Sequence, residues 1–169
     1  MKQAKDSIGS KIVTLEEAKE IRKKLNAENK RVIFANGIFD ILHGGHVSYL
    51  ADAKALGDVL FLGVNSDERK RRLKGEGRPI CKEAERLEIL SAIRFVDWIV
   101  LFNELTCENL LRNLVPDVHV KGTDYTVATI PEREVAQSLG IEVAVCGPPK
   151  ENASRGIIAT VAEKFCDAK

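Results

Sequence analysis

The chain has 169 residues, of which 44% are hydrophobic and 30% charged, and its 26 basic side chains nearly balance its 25 acidic ones. This length is sufficient for one domain with a hydrophobic core. The net charge of +1 gives no reason to expect nucleic acid or a membrane surface as a partner, and no apolar run is long enough to span a bilayer.

Four cysteines are scattered along the chain, with no C-x-x-C pair among them: Cys81, Cys107, Cys146 and Cys166. This spacing argues against a disulfide framework or a zinc knuckle. It is typical of a reducing compartment, where a thiol packs as a small hydrophobic group. Because the N-terminus has no apolar stretch of the kind found in signal peptides, we expect a cytoplasmic protein.

The elements predicted in chain order form one domain. Residues 1–10 are expected to be a flexible N-terminus and residues 11–169 a single domain. Within it, residues 11–30 contain a leading helix that opens on the capping box Thr14-Leu15-Glu16-Glu17. Residues 31–146 form the sheet core, and residues 147–169 form a C-terminal helix.

Inside the core, short apolar segments alternate with amphipathic ones. Strands are predicted at 31–35, 58–64, 97–101, 117–120 and 141–145, and helices at 45–56, 82–93, 106–114, 131–139 and 152–165. This alternation predicts an α/β fold, a single Rossmann-like domain whose five-stranded parallel sheet has helices on both faces.

The most informative segment runs from Asn36 to His46, where the first strand of the core leads into a helix. In an open α/β sheet ligands bind at this edge, and a helix N-terminus favours phosphate. Gly37 and Gly45 would let the backbone approach a ligand, and His43 and His46 would supply donors to it. The two histidines could instead form half of a metal site or pack structurally. No cysteine nearby completes a metal site, and the flanking glycines offer the rings little packing, so no protein metal ligand is predicted.

Two later segments also follow predicted strands. Gly122 would let the backbone approach a base or ribose, and Asp124 could accept a hydrogen bond, although this segment is equally typical of a simple turn. Ser154 and Arg155 open the last helix, where a hydroxyl and a guanidinium could bind a phosphate. The alternative is a capped helix with an arginine that faces solvent.

The motif resembles the HxGH signature of the cytidylyltransferase-like nucleotidyltransferases. The pattern G-x-F-D-x-x-H-x-G-H is filled by Gly37, Phe39, Asp40, His43, Gly45 and His46. Beyond it, residues 64–67, 71–80 and 121–126 resemble the adenylyltransferases of bacterial ADP-heptose synthesis. Residues 11–17 resemble the start of their stand-alone form, and the similarity extends over about residues 11–164.

This resemblance implies a reaction. The family transfers AMP from ATP to D-glycero-β-D-manno-heptose 1-phosphate, giving ADP-heptose for lipopolysaccharide synthesis and pyrophosphate. It implies ATP as a substrate and Mg²⁺ that is held by the ATP phosphates and water. We also expect a homodimer, and we expect a separate protein to phosphorylate the sugar because no kinase domain is present.

The resemblance also implies the site residues. His43, His46 and Lys74 are the expected catalytic residues, although the basic run at 69–74 could instead be a solvated helix face. The expected nucleotide-binding residues are Gly37, Ile38, Phe39, Gly45, Asn65, Arg86, Lys121, Gly122, Asp124, Ser154 and Arg155.

Two other functions stay open. The family usually has Ser-Thr-Thr where this chain has Ala153-Ser154-Arg155, so the chain could be a nucleotide-binding module that has lost catalysis. The presence of His43 and His46 argues against this. A cytidylyltransferase that acts on glycerol 3-phosphate or another alcohol phosphate is the second alternative, because fold alone does not decide function.

Overall fold

The computed structural model describes residues 9–68, 79–149 and 154–165. Lys74, and most of the N-terminus that was predicted to be flexible, lie outside these residues. In chain order the described elements are α1 (Leu15–Ala27), β1 (Val32–Gly37), α2 (Gly44–Lys54), β2 (Val59–Asn65), α3 (Glu83–Ser91), β3 (Trp98–Phe102), α4 (Glu108–Leu114), β4 (Val118–Gly122), a 3₁₀ helix (Val127–Thr129), α5 (Arg133–Ser138), β5 (Glu142–Cys146) and α6 (Ser154–Phe165).

All predicted strands and helices are present in these ranges, and their ends differ from the predicted ones by at most two residues, except that the predicted start of the last helix at residue 152 lies outside the described residues. Two features differ from the sequence analysis. The 3₁₀ helix was not predicted, and Lys121 and Gly122 belong to β4 instead of following it, because they pair with Val145 and Cys146 of β5.

The five strands form one parallel sheet in the order β3-β2-β1-β4-β5. The chain builds outward from β1 through β2 to β3 and then crosses to β4 on the other side of β1. The strand order therefore reverses between β1 and β4. In doubly wound sheets the crevice outside the carboxyl ends of two such strands is where ligands bind.

Helices cover both faces of the sheet, as the sequence predicted. Successive residues of a strand point to opposite faces, so Ile33 and Ala35 join one buried cluster while Val32 and Phe34 join the other. The first cluster also contains Leu50 and Ala53 of α2 with Leu87 and Leu90 of α3, and the second contains Ala18 of α1, Leu110, Leu111 and Leu114 of α4, and Ala136 of α5.

The leading helix α1 begins at the predicted capping box. The backbone N–H of Glu17 donates to Thr14 Oγ1 (3.2 Å), and the backbone N–H of Thr14 donates to Glu17 Oε2 (2.8 Å). These bonds satisfy donors that a helix start leaves open. Across the described ranges, none of the helices combines the length and the apolar character needed to cross a membrane.

Candidate active site

The turn between β1 and α2 is closed by the ring of Phe39. This residue has a φ of 51°, a left-handed conformation that is uncommon for a bulky side chain, and it is 4% exposed. A Cβ on Gly37 would lie 2.8 Å from Phe39 Cε2, so the ring leaves room only for glycine at that position. The Phe39 ring also contacts the His46 ring, with centroids 5.3 Å apart. The conformation of the turn thus helps to position His46.

His43 and His46 lie side by side at the N-terminus of α2. Their ring centroids are 4.0 Å apart. His43 is the N-cap residue, but its side chain makes no capping hydrogen bond. Among the described residues, its buried Nδ1 also has no hydrogen-bond partner. Two imidazoles beside the positive end of a helix form an arrangement that suits a phosphate.

A buried carboxylate holds the same turn from its other end. Asp40 is 5% exposed, and its Oδ1 accepts hydrogen bonds from the backbone N–H groups of Ile80 (2.8 Å) and Cys81 (3.0 Å). Asp40 therefore connects the motif to the segment that precedes α3. The motif identified this residue, but its partners could not be read from the sequence.

The guanidinium of Arg86 in α3 is fully buried and bonds to the chain itself. It donates to the carbonyl oxygens of Ile38, Asn65 (2.9 Å) and Cys81 (3.2 Å) and to the carboxylate of Asp67 (2.7 Å). These bonds join the ends of β1 and β2 to the start of α3. Arg86 thus holds the turn that carries the histidines, and its predicted contact with a nucleotide stays a prediction.

At the end of β4, Lys121 is also committed to partners within the chain. It is 6% exposed. Its Nζ donates to Asn36 Oδ1 (2.8 Å), lies 3.1 Å from Glu132 Oε2, and lies 5.6 Å from the centroid of the Tyr125 ring. The ammonium is therefore fixed beside the carboxyl end of β1, and its role toward a nucleotide stays a prediction.

Gly122 and Asp124 form a tight turn directly after Lys121. The backbone N–H of Tyr125 donates to the Gly122 carbonyl (3.0 Å), and a Cβ on Gly122 would lie 3.1 Å from Asp124 Oδ1. This segment therefore forms the simple turn that was one of the two sequence-based interpretations. The turn also lies next to β1 at the switch point, where the predicted contacts to base or ribose would be made.

The start of α6 is connected to the motif. Ser154 Oγ donates to the carbonyl oxygen of Ile41 (3.1 Å), so the N-terminus of α6 meets the β1–α2 turn. The hydroxyl that was predicted to bind phosphate donates to the backbone in this structure. The side chain of Arg155 lies outside the described part of the chain, and its predicted phosphate contact stays a prediction.

The sequence analysis missed the role of Tyr49 in α2. Its hydroxyl donates to the carbonyl oxygen of Val120 (3.0 Å), and burial raises the pKa of Tyr49 well above its ordinary value. This bond fixes α2, and with it the histidine pair, against β4. A buried tyrosine usually finds such a partner, but the sequence does not show which one.

A cleft of about 260 Å³ lies away from this edge, between α1 and α4. Its lining includes Lys19, Arg22, Lys23, Asn26, Asn113, Leu114 and Val115. The three basic side chains already have partners: Lys19 pairs with Glu16, Lys23 pairs with Glu20, and Arg22 bonds to Asp117 and two carbonyl oxygens. The strand-end edge is therefore the better candidate for an anionic ligand.

Relatives of known sequence match most of this chain. It is 44% identical over 135 residues to the bifunctional protein HldE of Pseudomonas syringae pv. syringae, an alignment that covers 80% of this chain and 28% of that protein. A 40% identity over 156 residues to the HldE of Syntrophotalea carbinolica covers 92% of this chain and 32% of the relative. The chain thus spans less than a third of the length of these relatives.

Solved structures share the fold. A lipopolysaccharide core biosynthesis protein from Thermoplasma volcanium superposes with a TM-score of 0.60 at 28% identity, covering 71% of this chain and 99% of that one. A family model described as cytidylyltransferase-like matches residues 34–157, which include the histidine pair, the β4 turn and the start of α6. This chain belongs to the cytidylyltransferase-like family.

Proposed function

We propose that this chain transfers AMP from ATP to D-glycero-β-D-manno-heptose 1-phosphate and releases pyrophosphate. The observation that carries this proposal is the histidine pair at the N-terminus of α2. The ring centroids of His43 and His46 are 4.0 Å apart, and the pair lies at the switch point of the sheet, where the strand order reverses. The identity of 44% with a bifunctional HldE and the resemblance to the adenylyltransferases of ADP-heptose synthesis support the choice of substrates.

The reaction needs no nucleophile from the protein. An oxygen of the sugar 1-phosphate attacks the α-phosphorus of ATP and forms the new P–O bond. The bond from that phosphorus to the oxygen bridging the α- and β-phosphates breaks, and pyrophosphate leaves with the electron pair. Catalysis of such an in-line transfer rests on positioning the two substrates and on neutralising charge at the phosphates.

His43 and His46 would donate hydrogen bonds to the phosphates of ATP. The positive end of the α2 dipole lies at the same edge of the sheet and further stabilises negative charge there. Lys74 would reach the attacking phosphate or the leaving pyrophosphate. Arg86 would act as a positioning residue, because its bond to the carbonyl of Ile38 orients the turn that precedes both histidines.

At β4, Lys121, Gly122 and Asp124 would contact the base or ribose. Backbone groups of Gly37, Ile38, Phe39 and Gly45 would line the phosphate end, with Asn65, Ser154 and Arg155 at its borders. Each of these roles follows from the resemblance and from the strand-end position of the residues.

Mg²⁺ would be held mainly by the ATP phosphates and water, as is usual for this ion. The Asp40 carboxylate of the motif agrees with this, because its Oδ1 is already used to accept two backbone hydrogen bonds and not to bind a metal. When bound, the ion would neutralise phosphate charge.

We also propose a homodimer, which light scattering of the purified chain would test.

Pyrophosphate release with each NTP, against a panel of sugar and alcohol phosphates, tests the reaction. We expect ATP with heptose 1-phosphate to be the fastest pair. Faster turnover with CTP and glycerol 3-phosphate would favour the cytidylyltransferase alternative. Nucleotide binding without turnover on any acceptor would favour a binding module.

Histidine variants test the mechanism. His43→Ala and His46→Ala are each expected to lower turnover by about two to three orders of magnitude, the scale seen when a preorganised donor is removed. Ser48→Ala, at an exposed position of the same helix, is the matched control. Circular dichroism would show that the variants fold, and turnover near that of the unaltered chain in both would contradict the assignment.

A further inference from the structure

A second group of polar side chains is buried on the other face of the sheet, among α4, β4 and α5. Cys107 precedes α4 and is 0% exposed, His119 lies in β4 and is 0% exposed, and Glu132 precedes α5 and is 3% exposed. Their ligand-type atoms all lie within 4.8 Å of one another, and in the described ranges no other three His, Cys, Asp or Glu side chains are gathered in this way. None of these residues has a role in the proposed reaction.

We propose that Cys107, His119 and Glu132 bind one divalent transition-metal ion, for which Zn²⁺ is the best match. Zn–S bonds of about 2.3 Å and Zn–N or Zn–O bonds of about 2.1 Å at tetrahedral angles require about 3.6 Å between ligand atoms. Cys107 Sγ lies 3.8 Å from His119 Nε2 and 3.4 Å from Glu132 Oε1. These two separations agree with a sulfur that shares one ion with His119 and Glu132, and the ligand atoms of the third pair lie within 4.8 Å of each other.

The chemistry of the donors favours zinc over magnesium or calcium. Thiolate sulfur, imidazole nitrogen and carboxylate oxygen are the three zinc ligands of proteins, whereas the harder ions require oxygen. His119 is fully buried, and a neutral imidazole is the form that coordinates a metal.

Neighbouring side chains orient the ligands. Lys121 Nζ lies 3.1 Å from Glu132 Oε2, which leaves Oε1 turned toward Cys107. Asn36 Oδ1 lies 3.3 Å from His119 Nε2 and accepts a hydrogen bond from Lys121 Nζ, so a water beside it would complete the fourth position. Such outer contacts commonly fix the orientation of metal ligands.

Without an ion, the same atoms form a hydrogen-bonded cluster. The Cys107 thiol donates to Glu132 Oε1 (3.4 Å), and His119 can donate from Nε2 to Asn36 Oδ1. Within the described residues the Nδ1 of His119 has no hydrogen-bond partner, and an ion bound at Nε2 would not change this. Metal analysis is therefore needed to distinguish the metal-bound site from the hydrogen-bonded cluster.

A bound ion would join three elements that the chain connects only through loops. It would hold the starts of α4 and α5 against β4, and so would fix the segment from Gly122 to Glu132, which contains the 3₁₀ helix. That segment begins with the turn at Gly122 and Asp124 on the candidate active-site edge. The metal site is independent of the proposed reaction, because its occupancy can be measured without turnover.

Metal content and Co²⁺ spectra of the full chain test the proposal. Protein purified from zinc-supplemented growth is expected to contain one Zn²⁺ per chain. After unfolding in chelator and refolding with Co²⁺, it is expected to show thiolate-to-cobalt charge-transfer absorption and the d–d bands of tetrahedral cobalt. Only a cysteine ligand produces the first of these, which excludes binding by His43 and His46 alone.

Variants identify the ligands. Cys107→Ala should abolish the charge-transfer absorption, and Glu132→Gln should weaken Co²⁺ binding by more than the roughly tenfold to hundredfold that loss of an outer-shell partner costs. Cys146→Ala, a half-buried cysteine outside the cluster, is the matched control and should keep both signals.

The proposal is overturned if the unaltered chain carries no stoichiometric zinc and shows no charge-transfer absorption with Co²⁺. It is also overturned if the absorption persists in Cys107→Ala. Should Cys107→Ala fail to fold, the spectrum of the unaltered chain and the isosteric Glu132→Gln still decide between the ion and the hydrogen-bonded cluster.

Discussion

Replacing Arg86 with methionine tests how the candidate site is held in place. The change removes a fully buried guanidinium and leaves the carbonyl oxygens of Ile38, Asn65 and Cys81 without their donor. It also leaves Asp67 without its ion-pair partner. Breaking a buried pair from one side typically costs about 3–5 kcal/mol. The Asp67 side chain is 22% exposed and can be partly hydrated, so we expect a loss of about 3–4 kcal/mol in unfolding free energy.

Urea unfolding at a constant m-value measures this loss. Arg94→Met makes the same exchange at an exposed position where the guanidinium stacks on the Phe95 ring, and it should change stability by less than about 1 kcal/mol. Arg86→Lys keeps the charge but cannot reproduce the forked geometry, so it should recover only part of the loss. A cost for Arg86→Met no larger than that of Arg94→Met would refute the view that this network holds the turn.

Two further predictions concern α2 and its neighbours. Tyr49→Phe removes the hydrogen bond to the Val120 carbonyl and should lower the unfolding free energy by about 1–2 kcal/mol. The control variant Tyr125→Phe, measured by the same urea titration, should lower it by less. Equal effects of the two variants would contradict the role of Tyr49 in fixing α2 against β4. Burial raises the pKa of the Cys146 thiol to about 11, so at pH 8 its alkylation by iodoacetamide should be roughly a hundredfold slower than in the unfolded chain, because the thiolate is the reactive form. Peptide mass spectrometry resolves this cysteine from the others, and an equal rate in both states would contradict its burial.

The sequence was sufficient to predict the fold because local and global signals agree. Apolar runs of strand length alternate with amphipathic segments, and the capping box at Thr14 marks the first helix start. The boundary of β4 was harder to predict. Lys121 and Gly122 have low strand propensity, yet they continue the strand because β5 pairs with them. The 3₁₀ helix is stabilised by a hydrogen bond from the backbone N–H of Thr126 to Thr129 Oγ1. Threonines at this spacing are also common in ordinary turns, so the sequence did not distinguish a 3₁₀ helix from a turn.

The motif identified the candidate site, but not what supports it. The partner of Tyr49 is 71 residues away and that of Arg86 at Ile38 is 48 residues away, and a single sequence contains no information on such pairs. The same limit applies to Cys107 and His119, which are 12 residues apart. Their spacing matches no metal-binding motif, and only the packing of α4 and α5 against β4 brings them together with Glu132.

The contacts around the β1–α2 turn explain how a strained conformation can persist there. A left-handed Phe39 costs of the order of 1–2 kcal/mol, and such strain is kept only where surrounding contacts over-determine the backbone. Here the turn is held at Ile38 by Arg86, at Asp40 by two backbone N–H groups, and at Ile41 by Ser154. These contacts come from two separate parts of the chain, the segment from Ile80 to Arg86 and the start of α6, and together they fix the turn at three points. The histidine pair is thereby held in position in the ligand-free chain, and in the proposed reaction this is the condition under which hydrogen-bond donors stabilise a transition state most effectively.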